Sequence, residues 1–203
     1  MYNLVQNMKT ENRFELKFSM SNNGVSEFRA KYNLIKKLYP SRTITSYYFD
    51  TLSLKYFYKS VNTDINIPKY RIRYYNNEKK FTEEVKIHTE LGRKKYSRKI
   101  DDTAMPTKVK FNNEILYPVS VVSYVRDYFL YENSRITIDY SINYRKPVNR
   151  AVNKNQISQK LNIIEFKSLN ESNYDIFKDL PSSIEAFSKF KDSISNLYHI
   201  SYD

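Results

Sequence analysis

The sequence predicts an α+β fold: an antiparallel β-barrel with helices packed on its outside. Several segments alternate charged and apolar residues, as β-strands with one polar and one apolar face do, whereas few segments show helical periodicity. A closed barrel covers the apolar faces and encloses the polar ones, which a flat sheet with few helices cannot do. We find no internal repeat and no linker, so residues 1–203 are expected to form a single domain.

The composition indicates an anionic partner. The chain of 203 residues has 34 Lys and Arg against 22 Asp and Glu, a formal net charge of +12. Its 20 Tyr and 12 Phe can build a core, and the absence of Cys excludes disulfides and thiolate metal sites. No run of 18 apolar residues and no signal-peptide pattern occurs, so we expect no transmembrane segment and a soluble, cytoplasmic protein.

The first half of the chain alternates strands with one helix. Strands are predicted for residues 13–18, 43–51, 69–75 and 81–88. The apolar stripe of the helix consists of Val25, Phe28, Tyr32, Ile35 and Leu38. Pro40 ends this helix, and residues 76–80 form a hairpin loop. Residues 52–60 are compatible with a short helix or a loop.

The second half of the chain is predicted to add strands and a closing helix. Strands are expected at residues 123–131, 135–140 and 161–167, with an exposed loop at 145–160. The closing helix opens with Ser182 and Glu185 at capping-box spacing. The basic run 93–99 is compatible with a nucleic-acid patch or with a solvated loop.

Rows of cations mark the polar strand faces. Lys69, Arg71 and Arg73 share one face of a strand, where they repel each other unless the face is solvated or holds an anion. Because other strands repeat the pattern, we expect the charged faces to line the barrel and to bind a chain of phosphates. Three carboxylates on the same faces indicate a divalent metal: Glu15, Glu84 and Glu165.

Seven motifs together resemble a known family. In chain order they are R-F-E-L-K, S-Y-Y-F-D-T, K-Y-R-I-R, E-V-K-I-H, Y-V-R followed by R-I-T-I-D, I-I-E-F-K, and F-S-K-F. This series resembles the VTC domain, the polyphosphate polymerase domain of vacuolar transporter chaperone proteins, over residues 11–198. The resemblance implies the triphosphate tunnel (CYTH-like) fold and an enzyme that makes polyphosphate from ATP with Mn²⁺ or Mg²⁺. ATP and polyphosphate are then the expected partners.

The resemblance also implies roles for individual residues. The catalytic cations would be Lys17, Arg71, Arg73, Lys86, Arg126, Arg135 and Lys189. Substrate-binding roles would fall to His88, Lys95, Tyr124 and Ser188. Glu165 resembles the metal-holding glutamate, and Glu15 is the second expected metal ligand. Lys94 and Arg98 compete with Lys95 for its role.

Three functions remain open from the sequence. The first is a metal-dependent polyphosphate polymerase, and the second is a tunnel triphosphatase acting on nucleoside triphosphates or tripolyphosphate. Arg13 stands where the triphosphatases carry the first Glu of E-x-E-x-K, which favours the polymerase. The third is a module that binds polyphosphate or nucleic acid without turnover.

Overall fold

A computed structural model describes residues 9–11, 14–63, 65–78, 80–90, 92–100, 104–132, 134–147, 156–168 and 187–201. Within these ranges the chain forms eleven strands and three helices. The strands are β1 (Lys9–Glu11), β2 (Phe14–Met20), β3 (Tyr39–Asp50), β4 (Pro68–Tyr75), β5 (Phe81–Thr89), β6 (Gly92–Ile100), β7 (Val109–Phe111), β8 (Glu114–Tyr131), β9 (Ser134–Arg145), β10 (Ile157–Ser158) and β11 (Asn162–Ser168). The helices are α1 (Asn22–Lys31), α2 (Lys55–Asn62) and α3 (Lys189–Tyr198).

The strands form an antiparallel sheet in the order β1-β6-β5-β4-β3-β8-β9-β11-β2, with β7 paired to β8 and β10 to β9. Tight turns set two of its hairpins. Asn76 and Asn77, with φ angles of 49° and 58°, begin the loop 76–80 between β4 and β5, and Asn112 and Asn113, with φ angles of 46° and 63°, form the two-residue loop between β7 and β8. Two successive positive φ angles are those of a type I′ turn, whose twist suits a hairpin, and Asn tolerates them well. The predicted hairpin at 76–80 is thus confirmed.

The sheet curls so that distant strands face each other. Strands β5 and β11 are five places apart in the order, roughly 24 Å in a flat sheet. Nevertheless, Glu165 and Lys167 on β11 lie close enough to Lys86 on β5 for their charges to shift its pKa. No pairing between the described parts of β1 and β2 joins the two ends. The expected closed barrel is therefore not confirmed, and the observed architecture is a curled sheet with a charged concave face.

Helix α1 packs on the convex face and is shorter than predicted. Ser21 caps its start, with Oγ accepting from Gly24 N at 3.1 Å. Its buried residues Val25 and Phe28 join a cluster with the strand residues Phe18, Phe129, Ile136 and Phe166. The helix ends at Lys31, so Ile35 and Leu38 are 78% and 41% exposed instead of extending the stripe. Asn33, with a φ of 50°, turns the chain away from the helical path after this end.

Helix α2 decides the ambiguity at residues 52–60 in favour of a helix. The buried carboxylate of Asp50 accepts hydrogen bonds from Tyr56 N at 3.0 Å and Phe57 N at 2.8 Å. A carboxylate at this place satisfies amide groups that the first turn leaves unpaired. Asp50 ends β3, so one residue both terminates the strand and starts the helix.

Helix α3 lies on the concave face, contrary to the expectation that helices pack outside. The ring of Phe190 is 5.5 Å from that of Tyr48, and Ser193 Oγ is 2.9 Å from Ser120 Oγ. Tyr48 is directly opposite Arg71 in the β3–β4 register and therefore shares the face of the cations. Ser182 and Glu185 lie outside the described residues, and Ser188 caps α3. None of the described helices is long and apolar enough to cross a membrane.

Strand β6 was not predicted from the sequence, whereas part of strand β8 was. The basic run 93–99 belongs to strand β6 and is not a loop. The strand expected from residue 123 is confirmed as part of β8, which is much longer than predicted. Strand β8 lies near the centre of the sheet, and its apolar side chains pack on both faces of the sheet.

The contrast between Ile194 and Ile35 gives a test of the helix positions. Ile194 is fully buried on α3, so Ile194→Ala should lower the free energy of unfolding by about 2–5 kcal/mol. Ile35→Ala removes the same atoms from an exposed site and should change it by less than about 0.5 kcal/mol. Urea unfolding of the two variants measures both values. Equal losses would mean that α1 continues through Ile35 as the sequence pattern predicts.

Candidate anion-binding site

The concave face gathers cations from strands and from α3 around buried carboxylates. The cations that meet there are Lys17, Arg71, Arg73, Lys86, Lys95, Arg126, Lys167 and Lys189. The carboxylates are Glu15, Glu84, Asp139 and Glu165. We call this set the anion site. Positive charge exceeds negative charge in it, so an anion would complete its pairing.

Glu84 organises one half of the anion site. It lies directly opposite Arg71 in the β4–β5 register. Its Oε2 accepts from Arg71 Nε at 2.8 Å and Nη2 at 2.6 Å, while Oε1 accepts from Arg73 Nη2 at 2.6 Å and lies 3.1 Å from Lys95 Nζ. Burial raises the pKa of Glu84, but the charges of these cations outweigh burial and hold it well below the usual range. With three cations around it, Glu84 is not placed as a metal ligand, contrary to the sequence expectation.

Asp139 organises the other half. Arg126 lies opposite Asp139 in the β8–β9 register and binds both carboxylate oxygens, Nε to Oδ1 at 2.5 Å and Nη2 to Oδ2 at 2.7 Å. Lys189 Nζ donates to Oδ2 at 2.6 Å. Burial raises the pKa of Asp139, and the charges of Arg126 and Lys189 lower it below its ordinary value. One cation from the sheet and one from α3 thus bind the same carboxylate.

Tyr124 contacts the two cations that pair with Asp139, and Ser188 precedes one of them in the chain. The ring of Tyr124 lies 5.3 Å from the Arg126 guanidinium carbon and 4.8 Å from Lys189 Nζ, within cation–π range of both. Burial raises the pKa of Tyr124 to about 12, so its hydroxyl remains a neutral donor at ordinary pH. Ser188 Oγ accepts from Lys191 N at 3.5 Å and caps α3. The positive end of the helix dipole therefore points into the anion site.

Glu15 and Glu165 form the candidate metal position. Glu165 is opposite Lys17, and Lys167 is opposite Glu15, so all four share one face of β2 and β11. Lys167 Nζ lies 2.7 Å from Glu165 Oε1 and 3.7 Å from Glu15 Oε1. Among the described residues no group of three or more acidic, His or Cys side chains could hold a metal. Two carboxylates would hold Mg²⁺ or Mn²⁺ with phosphates and water as the other ligands. In this structure Lys167 and Arg126, whose Nη2 is 3.5 Å from Oε2, already pair with Glu165, so a metal would have to displace Lys167.

Two partly buried lysines have no carboxylate at ion-pair distance among the described residues. Among the described residues no ion pair or side-chain hydrogen bond holds Lys86, and Lys17 Nζ donates to the carbonyl oxygen of Phe187 at 3.1 Å. Burial lowers the pKa of Lys86 strongly. Arg71, Lys167 and Lys17 lower it further, and Glu165 opposes them. Burial likewise lowers the pKa of Lys17. A bound anion would reverse these shifts.

The structure distinguishes among the three basic residues of β6 that compete for one substrate-binding role. Lys95 faces Glu84, while Arg98 pairs with Glu83 on the opposite face, so the geometry favours Lys95 over Arg98. Lys94 is opposite Ile87 and shares its face.

His88 lies farther from the paired cations, whereas Arg135 is beside one of them. His88 is exposed near the end of β5, away from the ion pairs described above. Arg135 is opposite Lys167, and its Nε is buried without a hydrogen-bond partner.

Sequence reasoning missed the roles of Asp139 and Lys167. Both were on predicted polar faces, but nothing in the sequence named them as partners of Arg126 and Glu165. The spacing in two motifs could have indicated them. Alternation in R-I-T-I-D places Asp139 on the face of Arg135, and alternation in E-F-K places Lys167 on the face of Glu165.

Solved structures with the same architecture define the class of fold. A proposed adenylate cyclase of Bacillus halodurans has a TM-score of 0.60 at 14% identity, covering 90% of this chain and 98% of that one. A proposed adenylyl cyclase from Hippeastrum, described as having a dominant triphosphatase activity, has a TM-score of 0.58 at 15% identity, covering 91% and 96%. A proposed adenylate cyclase from Vibrio parahaemolyticus has a TM-score of 0.53 at 13% identity, covering 92% and 99%. The fold is that of the triphosphate tunnel, or CYTH-like, proteins.

The family follows from the sequence. The VTC domain matches residues 5–114 and 94–198, and the chain belongs to this family. No curated protein matches the sequence significantly. The resemblance drawn from the seven motifs is therefore confirmed.

Adjacent glutamates on opposite faces provide a test of the anion site. Glu84→Gln should lower the free energy of unfolding by about 3–5 kcal/mol, because it leaves Arg71 and Arg73 without their carboxylate. Glu83→Gln should lower it by less, because its partner Arg98 is mostly exposed to water. Added tripolyphosphate should raise the melting temperature of Glu84→Gln by more than that of Glu83→Gln, since the anion replaces the missing charge on the concave face alone. Thermal unfolding with and without tripolyphosphate measures this difference. Equal shifts would place the anion elsewhere.

The lowered pKa of Lys86 predicts proton uptake on anion binding. Burial lowers the pKa of Lys86 in the free protein, the charge of Arg71 lowers it further, and a bound polyanion would raise it again and favour the protonated lysine. Binding of tripolyphosphate should therefore strengthen as the pH falls through the range in which Lys86 becomes protonated. Calorimetry in buffers of different ionisation enthalpy counts the protons taken up. Lys86→Met should take up fewer protons; unchanged uptake would assign the titration to another group.

Proposed function

We propose that this protein is a metal-dependent polyphosphate polymerase that transfers the γ-phosphate of ATP to a growing polyphosphate chain. The single observation that carries the proposal is the excess of partly buried cations on the concave face. Eight cations meet four carboxylates there, an imbalance comparable to the charge of a triphosphate. Unpaired like charges in a partly buried site repel each other strongly, so the arrangement favours a polyanion as the normal occupant.

The residues fit phosphoryl transfer, which depends on positioning and charge neutralisation. Glu84 holds Arg71 and Arg73 side by side, and their remaining N–H groups are available for phosphate oxygens. Asp139 holds Arg126 and Lys189 in the same way. These fixed donors would orient the triphosphate and stabilise charge that develops on it. A divalent metal held by Glu165 and Glu15 would add charge neutralisation.

The reaction requires no covalent intermediate on the protein. A terminal oxygen of the acceptor chain forms a bond to the γ-phosphorus while the bond to the bridging oxygen of the β-phosphate breaks and ADP leaves. Lys86 and Lys17 can donate hydrogen bonds to the phosphates, since neither has a carboxylate partner at ion-pair distance in the described chain. The role of the side chains is then to align donor and acceptor.

A tunnel triphosphatase is the second candidate, supported by the triphosphatase activity described for the Hippeastrum structure of the same fold. It would use the same cations and metal, with water replacing the acceptor phosphate. Arg13, whose position favours the polymerase in the sequence, lies outside the described residues. That preference stays a prediction.

Binding of nucleic acid through the run 93–99 has less support. The side chains of this run divide between two faces of β6, with Lys95 toward Glu84 and Arg98 toward Glu83. Such a division breaks the continuous basic surface that non-specific nucleic-acid binding uses.

The decisive experiment is incubation with ATP and Mn²⁺ or Mg²⁺, with the products resolved on a gel stained for polyphosphate. We expect a ladder of chains from the wild type and a loss of about 10²–10³-fold in rate for Arg71→Ala, which removes fixed donors to the phosphates. Arg98→Ala, on the opposite face, is the matched control and should retain the ladder. Orthophosphate without polymer would establish the triphosphatase instead, and neither product would leave a binding module.

A further inference from the structure

An arginine contacts two neighbouring tyrosines at the edge of the anion site. The guanidinium carbon of Arg42 is 5.4 Å from the ring centroid of Tyr39 and 5.7 Å from that of Tyr128. The two rings lie edge to face, with centroids 5.7 Å apart and an angle of 78° between their planes. We call Tyr39, Arg42 and Tyr128 the stacking cluster. None of these residues was singled out by the sequence.

The stacking cluster shares the concave face with the anion site. Arg42 is directly opposite Arg126 in the β3–β8 register, and Tyr39 is opposite Tyr128. Tyr128 follows Arg126 by two residues on β8, which places it on the same face and about 7 Å farther along the strand. Burial raises the pKa of Tyr128, and the charges of Arg126 and Arg42 oppose this rise, as expected for close neighbours.

The cluster lies at the opposite end of the anion site from the body of α3. Along β8, Ser120 contacts α3, Arg126 belongs to the anion site and Tyr128 belongs to the cluster. Tyr39 begins β3 and is 47% exposed, so one face of the cluster is accessible to a ligand. A triphosphate on the cations would therefore have one end beside α3 and the other beside the cluster.

Two features of the cluster have no structural explanation within the described chain. Arg42 faces Arg126 across the strands, and like charges directly opposite each other destabilise a sheet. No carboxylate among the described residues pairs with Arg42. Tyr39 gains little burial by contacting it. A partly exposed guanidinium beside two aromatic rings, one of them 47% exposed, is, however, the kind of surface on which a flat heteroaromatic ring stacks.

We propose that the stacking cluster binds the nucleobase of a nucleoside triphosphate whose phosphates occupy the anion site. The inference rests on the proposed function for the placement of the phosphates. The step of about 7 Å between Arg126 and Tyr128 is a distance that a ribose can span. Because stacking uses the face of the ring, the cluster accepts different bases and favours the larger purines.

The ring faces argue against a bare phosphate chain as the occupant of the cluster. The face of an aromatic ring carries the negative part of its quadrupole and so does not attract phosphate oxygens. A phosphate chain would interact favourably with Arg42 alone, whereas a nucleobase can also contact Tyr39 and Tyr128. The two ligands therefore depend differently on the tyrosines, and this difference is measurable.

The test compares two ligands in the absence of metal, where turnover does not interfere: a non-hydrolysable β,γ-imido analogue of ATP, and inorganic tripolyphosphate. Calorimetry should show that Tyr39→Ala weakens binding of the ATP analogue by about 5- to 100-fold, the range for one lost aromatic stack. Tripolyphosphate affinity should stay within about twofold, as for a surface substitution. Tyr39→Phe keeps the ring and should retain both affinities. Tyr58→Ala, which removes a similarly exposed tyrosine on α2, is the matched control.

The outcomes separate this inference from the proposed function. Equal weakening of both ligands by Tyr39→Ala would mean that the ring acts through the fold, and would overturn the nucleobase site. So would an unchanged affinity for the ATP analogue in both Tyr39→Ala and Tyr128→Ala. In either case wild-type binding of tripolyphosphate would still support the anion site. A wild type that binds neither ligand would overturn the proposed function together with the inference.

Discussion

The pairing of Glu84 and Asp139 with the surrounding cations is the constraint on which the concave face depends. At an effective dielectric constant of about 20, two like charges 4 Å apart repel by roughly 4 kcal/mol, so arginines on adjacent strands need a shared counter-charge. Each carboxylate supplies one negative charge to at least two cations. The sheet is held together by these pairs, yet it retains a positive excess. The ion pairs stabilise the sheet, whereas the remaining positive charge opposes folding and would favour a bound anion.

The faces of the strands could be predicted from the sequence, and their partners could not. Alternation placed Arg71 and Glu84 on polar faces without showing that they meet. The register that joins them depends on the turn at Asn76 and Asn77, whose left-handed conformation fixes which residues oppose each other. For this reason Glu84 could be taken for a metal ligand from sequence alone, whereas the register makes it the counter-charge of two arginines.

The helices show the same limit at another level. Ile35 and Leu38 continue the apolar periodicity of α1, but periodicity carries no information about the conformation of Asn33, after which the chain leaves the helical path. The amphipathic pattern of α3 correctly predicts a buried stripe, represented by Ile194 and Leu197. It cannot say which surface covers that stripe, because the concave end of the sheet at Tyr48 and the convex face are both apolar.

The position of α3 connects the two proposed activities physically. Its N-terminus presents Lys189 to Asp139, while Phe190 and Ser193 contact the sheet beyond the anion site. With a nucleobase on the stacking cluster, the γ-phosphate of a bound triphosphate points toward α3. Hydrolysis then needs only a water at that end, whereas polymerisation needs a route along which an acceptor chain passes α3. On the proposed function, the packing of this helix on the sheet would therefore decide whether water or an acceptor chain reaches the γ-phosphate.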